Sequence, residues 1–231
     1  MEKKYTLLIL LFVAITLISI VGFYTSYLSF FPDYGKFQLA IHIHFLAFVC
    51  WFILVIAQPI LIAKKRFKLH RRLGRASYFL APILVATILI LVNEKVQREI
   101  SVSKNDAAIT ALIGLLDVIS FTAFYLIAMV NKKNVRWHVA FIIAATLIVL
   151  NPGMARLMNQ FSEGLGLISA VFLPFIVSIA IFVFEKIKLK IDILKSPYFL
   201  FFTCWLLEIV ILVVVPQSTF WVKFVSDFAN K

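Results

Sequence analysis

The chain has 231 residues, of which 63% are hydrophobic, and its mean hydropathy of +1.01 lies far above that of ordinary soluble domains. The formal net charge is +12, but the 23 Lys and Arg form short clusters between apolar runs, as the topology signals of membrane proteins do. These properties exclude an ordinary soluble domain, and the clustering excludes nucleic acid as a partner.

Seven apolar runs are long enough to cross a bilayer core about 30 Å thick as α-helices of about 20 residues. The first run follows Lys3 and Lys4 like a secretory signal, but its length and the lack of a small-residue cleavage site favour a membrane span. We therefore predict an all-α bundle of seven transmembrane helices in a single integral membrane domain covering residues 1–231. The predicted spans are residues 5–30, 37–63, 73–92, 107–130, 135–158, 165–184 and 197–216.

The basic residues predict the orientation of these spans, because cytoplasmic connections retain an excess of Lys and Arg. The second connection, KKRFKLHRRLGR, is the most basic. With the N-terminus in the cytoplasm, more than two thirds of the 23 Lys and Arg lie on the cytoplasmic side. We predict a multi-pass protein of the plasma (inner) membrane with a cytoplasmic N-terminus.

The last segment, QSTFWVKFVSDFANK, carries apolar residues at helical spacing. This pattern predicts a short amphipathic helix at the outer membrane interface, and an unordered tail is the alternative. The residues that set the pattern are Phe220, Trp221, Phe224, Val225 and Phe228.

Two connections carry a similar motif: KKRFKLH ends at His70 and KKNVRWH ends at His138. Each joins an inward-running span to an outward-running one. A repeat would make spans two and three equivalent to spans four and five. Chance similarity between two basic connections is the alternative.

The stretch from His44 to Gly74 contains a His within a predicted span, followed by the connection HRRLG. It resembles a family of bacterial polytopic membrane proteins classed as a domain of unknown function, whose hallmark is a membrane His followed by an HRxxG loop. The resemblance implies a membrane location and importance for His44, His70, Arg71 and Gly74. It implies no activity.

Cationic side chains open two of the predicted spans on the cytoplasmic side. Helix N-termini carry partial positive charge, so further cations are unfavourable there unless an anion lies close. Headgroups of the anionic inner leaflet are the ordinary source of such anions, and a specific anionic ligand is the alternative. The predicted site for an anion or lipid headgroup comprises His70, Arg71, Arg72, Arg75, Arg136 and His138.

Buried polar residues form a second candidate site. With about 1.5 Å of rise per residue, His44, Asp117 and Glu208 lie at similar depth in the outer half of the membrane. An ionised carboxylate facing lipid costs about 3 kcal/mol or more, so these side chains are expected to face the protein interior. We predict one ligand-binding cavity, or alternatively hydrogen bonds that only fix helix packing. Its residues are His44, Asp117, Asn151, Arg156 and Glu208.

Four functions fit these sites, and whether the chain is an enzyme stays open. In the first, the outer residues bind or transport a proton, a cation or a small ligand. In the second, His44, Asp117 and Glu208 hold a divalent metal in a membrane enzyme. In the third, His70 and His138 ligate one haem b. A non-catalytic subunit or assembly factor is the fourth.

Overall fold

The computed structural model describes residues 3–229, and their side chains from Tyr5 onward. Within this range the chain consists of α-helices and short 3-10 helices, without strands. Met1, Glu2, Asn230 and Lys231, which the predicted domain includes, lie outside the described residues. The helices are α1 Lys3–Tyr24, α2 Leu39–Ala63, α3 Phe67–Glu99, α4 Lys104–Val130, α5 Val135–Asn159, α6 Leu165–Leu189, α7 Pro197–Val214 and α8 Thr219–Ala229.

Membrane-length helices dominate the chain. Among residues 3–229, the 7 helices α1 to α7 are long and apolar enough to cross a membrane. The all-α, seven-span fold class is therefore confirmed, and these helices fit an integral membrane protein.

Two helices, α1 and α3, differ most in extent from the predicted spans. The first was expected to reach residue 30, but α1 ends at Tyr24 and is followed by the 3-10 helix Leu28–Phe30. The apolar residues beyond α1 pack around the Tyr27 ring instead, with the Phe45 ring centroid 4.5 Å away. The third span was predicted as 73–92, but α3 has 33 residues. The backbone hydrogen bonds of α3 continue beyond the apolar segment into polar residues. There the Nζ of Lys95 lies 3.4 Å from the Oε1 of Glu99.

The connection between α2 and α3 is a tight turn. Lys65 adopts a left-handed conformation with φ of 56°. The N–H of Arg66 donates to the carbonyl of Leu61 at 2.8 Å, and that of Lys65 donates to Ile62 at 2.9 Å. These two bonds satisfy free carbonyls at the end of α2, as the Schellman motif does. The turn therefore fixes the backbone of the most basic connection.

The residue contacts divide the chain into two compact units. The first comprises Met1–Thr87 and Val149–Ser169. In this unit α1 packs along α2 and also meets the last part of α5. A Cβ on Gly153 would lie 2.8 Å from the Ser19 Cα, and one on Gly22 would overlap the Gly153 carbonyl. Only hydrogen fits at these two positions, so the backbones of α1 and α5 touch.

The second unit comprises Ile88–Ile148 and Ala170–Lys231. Within it, α4 contacts both α7 and α8. The Trp221 indole N–H of α8 donates to the Ala108 carbonyl of α4 at 2.9 Å. Val225 is buried against Val96 and the start of α4.

The predicted C-terminal helix is confirmed as α8, and its apolar residues divide between two faces. Trp221 and Val225 pack inward. The second face is exposed and aromatic, and consists of Phe220, Phe224 and Phe228. A helix that buries one face against the protein and presents another aromatic face fits an interfacial position.

Candidate functional site

Glu208 is a buried carboxylate in the apolar helix α7, with 8% of the residue exposed. Ser120 of α4 donates a hydrogen bond from its Oγ to the Oε2 of Glu208. Within the described residues, no Lys, Arg or His forms an ion pair with this carboxylate. Its charge therefore has a hydroxyl donor but no basic partner in this part of the chain.

The neighbours of Glu208 extend the polar character of this site. Asp117 lies one turn before Ser120 on α4 and is half-buried, so the two side chains share a helix face. Cys204 lies one turn before Glu208 on α7. On the same face of α4, a Cβ on Gly114 would overlap Val92 of α3, so the two helices approach closely there.

A second buried carboxylate, Glu185 of α6, was missed by the sequence analysis. It is 6% exposed. Arg136 donates from Nε to Oε1 at 2.8 Å and from Nη2 to Oε2 at 2.7 Å. The Ser196 hydroxyl adds a bond of 2.5 Å to Oε2. This bidentate, charge-assisted arrangement neutralises Glu185 within the protein.

The Glu185 network changes the interpretation of Arg136, which was predicted to bind an external anion. Two of its N–H groups already donate hydrogen bonds to the Glu185 carboxylate. Ser196 also caps α7, because its hydroxyl accepts from the Tyr198 N–H at 3.2 Å. The network thus joins α5, α6 and the start of α7. A Glu close to basic residues at the end of an apolar run, as in FEKIK, is the signal that could have identified it.

In the first unit, His44 of α2 bonds through Nδ1 to the Thr87 hydroxyl of α3 at 2.9 Å. The Thr87 hydroxyl has one hydrogen to donate. Its oxygen lies 2.7 Å from the Ile83 carbonyl oxygen and 3.0 Å from the Leu84 carbonyl oxygen, and both carbonyls can only accept. Thr87 therefore donates to the backbone and accepts from His44. The hydrogen of the neutral imidazole is on Nδ1, and Nε2 keeps its lone pair. No hydrogen bond from a described residue reaches Nε2.

Arg156 and Asn151 belong to the same unit as His44. Arg156 is exposed, donates from Nη1 to the Pro152 carbonyl at 3.0 Å, and places its Cζ 4.6 Å from the centre of the Phe23 ring. Asn151 is buried. A guanidinium over an aromatic face is held by a cation–π interaction.

The predicted outer cavity draws on both units. His44, Asn151 and Arg156 belong to the first unit, and Asp117 and Glu208 to the second. A single cavity formed by all five stays a prediction. Among residues 5–229, no group of three or more His, Cys, Asp and Glu could hold a metal ion. The metal site of His44, Asp117 and Glu208 therefore gains no support and stays a prediction.

The remaining histidines have different surroundings. His42 bonds through Nδ1 to the Tyr27 hydroxyl at 2.7 Å, whereas His44 bonds to Thr87. Burial, and then the nearby Tyr34, raise the pKa of the Tyr27 phenol. His138 donates from Nδ1 to the Ala128 carbonyl at 2.9 Å.

The predicted haem ligands and anion-binding residues lie at the starts of α3 and α5. His70 is half-buried in the first unit and His138 belongs to the second, so their pairing around a haem stays a prediction. Arg71, Arg72 and Arg75 are exposed in the first turns of α3.

Comparison of the chain with protein families, curated proteins and solved structures gives no match. The resemblance seen in the His44 to Gly74 stretch therefore stays a prediction.

Proposed function

We propose that this chain is a multi-pass protein of the plasma membrane in which Glu208 binds and releases a proton or a small cation, as part of transport or ligand binding. The observation that carries the proposal is the contrast between two buried glutamates. Glu185 has a bidentate Arg partner, whereas a hydroxyl is the side-chain donor to Glu208.

A buried carboxylate needs compensation for its charge. In an apolar helix an ionised, uncompensated carboxylate costs at least about 3 kcal/mol on membrane-insertion scales, and more where the protein interior excludes water. One hydroxyl hydrogen bond offsets only about 1.5–3 kcal/mol of such a cost. A bound proton or cation supplies the rest. Intramembrane carboxylates commonly mark ion pathways for this reason.

Other features support a membrane site reached from the outside. Asp117 provides a second carboxyl one turn from Ser120. The excess of basic residues in the connection between α2 and α3 supports a cytoplasmic position for that connection. By this orientation Glu208 lies in the outer half of the membrane. The HRRLG connection supports membership of the bacterial family that it resembles.

Infrared difference spectroscopy tests proton binding directly. The purified full-length protein is titrated across pH, and the protonated-carboxyl band is followed. Glu208→Gln should remove one titrating band, because the amide keeps the shape and cannot release a proton. Glu163→Gln, which alters an exposed carboxylate between α5 and α6, is the control and should leave that band unchanged. An unchanged band in Glu208→Gln would show that Glu208 does not bind a proton in this range.

Transport is tested in proteoliposomes that carry an imposed proton gradient and contain a pH-sensitive dye, or carry a sodium gradient and contain a sodium-sensitive dye. Wild-type protein and Glu163→Gln should dissipate one of these gradients, and Glu208→Gln should slow this at least about tenfold, because a site of this kind is required for each ion that crosses. Equal rates for wild type and Glu208→Gln would exclude ion movement through Glu208. A Soret absorption band in the same preparation would select the haem hypothesis instead.

A further inference from the structure

The connection between α2 and α3 presents a group of exposed cations that we call the α2–α3 basic surface. All of its basic side chains are exposed. They are Lys64, Lys65, Arg66, Lys68, Arg71, Arg72 and Arg75. The tight turn at Lys65 fixes the backbone that carries the first of them.

No acidic side chain among the described residues neutralises this surface. The related motif gives a direct contrast. Lys68 in KKRFKLH occupies the place of Arg136 in KKNVRWH, and Arg136 is paired with Glu185. Cations closer than a Debye length of about 8–10 Å repel one another unless anions gather near them. Among the described residues, the α2–α3 basic surface therefore lacks an internal anion like the Glu185 partner of Arg136.

The surface includes a shallow, open hollow and exposed apolar side chains. The hollow, of about 600 Å³, is lined by Lys65, Arg66, Phe67, Lys68, Leu69 and Arg71. Phe67 is 48% and Leu69 37% exposed beside the cations. Free phosphate has no apolar part to contact Phe67 and Leu69, whereas a lipid has its glycerol and first acyl carbons next to the phosphate.

We propose that the α2–α3 basic surface binds the headgroup of an anionic phospholipid. The hollow lies between the end of α2 and the start of α3, both membrane-length helices, and lipid headgroups lie at this level. The cations bind the phosphate by charge complementarity, and Phe67 and Leu69 contact the apolar part next to it.

Native mass spectrometry of the full-length, detergent-purified protein tests this proposal. The protein is titrated with phosphatidylglycerol or with phosphatidylcholine of the same acyl chains. Wild type should retain phosphatidylglycerol at least about tenfold better, because each basic residue near a lipid surface favours an anionic headgroup. The quadruple variant Lys65→Gln/Arg66→Gln/Lys68→Gln/Arg71→Gln should lose this preference.

A matched control removes the same charge elsewhere. Lys186→Gln/Lys188→Gln/Lys190→Gln/Lys195→Gln neutralises four exposed lysines at the end of α6 and the connection to α7, and should keep the preference. Circular dichroism and size-exclusion chromatography establish that both variants fold. If the quadruple variant does not fold, the charge reversals Lys68→Glu and Arg71→Glu, tested singly, should each lower retention severalfold.

Three results would overturn the proposal. Equal retention of the two lipids by wild type would mean that no headgroup preference exists. Equal loss in the control variant would show an effect of net charge and not of this surface. Displacement of phosphatidylglycerol by inorganic phosphate at equal concentration would identify a site for free phosphate instead.

Discussion

Two buried glutamates in similar sequence surroundings accept hydrogen bonds from different kinds of partner. Glu185 and Glu208 both lie in apolar helices, but the first accepts from Arg136 and Ser196 and the second from Ser120. The sequence predicts that a carboxylate within an apolar run faces the protein interior, because exposing it to lipid is costly. The partner of each side chain depends on how neighbouring helices are rotated. This is why Glu208 was identified and Ser120 was not assigned to it.

Arg136→Gln should destabilise the protein by about 3 kcal/mol, because it leaves the buried Glu185 without its cation. The lower end of the usual 3–5 kcal/mol range applies, since the Arg136 side chain is 33% exposed and partly solvated. Thermal unfolding in detergent measures the change. The double variant Arg136→Met/Glu185→Leu should regain most of the loss. No recovery in the double variant would contradict this explanation.

Thr87→Val should release the His44 imidazole from its present tautomer. The substitution keeps the side-chain shape and removes the oxygen that accepts from Nδ1. Nitrogen-15 NMR of histidine-labelled protein should show protonated Nδ1 for His44 in wild type and a shift toward protonated Nε2 in the variant. Thr146→Val is the control, because its hydroxyl bonds to the Ile142 carbonyl and to no histidine. An unchanged His44 signal in Thr87→Val would refute the tautomer assignment.

Helix packing in the first unit depends on two glycines far apart in the chain. Gly22 of α1 and Gly153 of α5 allow the two backbones to touch, whereas a Cβ on Gly74 of α3 would cause no overlap. A Cβ on Gly74 would meet only the Gln58 Nε2, at an ordinary 3.8 Å. The resemblance to the HRxxG family implied importance for Gly74, and local packing gives no reason for it.

Gly22→Ala should destabilise the protein by about 3 kcal/mol, at the upper end for overpacking, because its Cβ overlaps backbone that cannot rotate away. Gly74→Ala should be neutral or stabilise by about 0.5–1 kcal/mol, since alanine favours a helix interior. Denaturation midpoints of the two variants against wild type provide the measurement. Similar effects for both substitutions would mean that the close approach of α1 and α5 contributes little to stability.

At the scale of the whole chain, the number of spans was predictable and the functional chemistry only in part. A bilayer requires helices of a minimum length and apolarity, so seven runs such as residues 39–63 are recognisable from composition. Helix ends were less predictable, because α3 continues through Lys68 and Arg71 at one end and through Glu99 at the other. The hydropathy pattern does not predict these terminal turns of α3, because their side chains are polar. Such side chains suit the headgroup region.

Cysteine labelling tests the predicted orientation. In a Cys50→Ala/Cys204→Ala background, Lys65→Cys should resist a membrane-impermeant maleimide in intact cells and react after permeabilisation. Glu163→Cys, on the connection predicted to lie outside, should react in intact cells. Both positions are exposed, so a difference reports sidedness and not burial. Reaction of Lys65→Cys in intact cells would reverse the proposed topology.

The contact between Gly22 and Gly153 sets an order of events during synthesis. At about 5–20 residues per second, α5 leaves the ribosome on the order of ten seconds after α1. Through that interval α1 can pack against its neighbour α2, but the part of α5 that Ser19 and Gly22 contact has not yet been made. The first unit is therefore completed late, when the last part of α5 has been made and packs against Ser19 and Gly22 of α1.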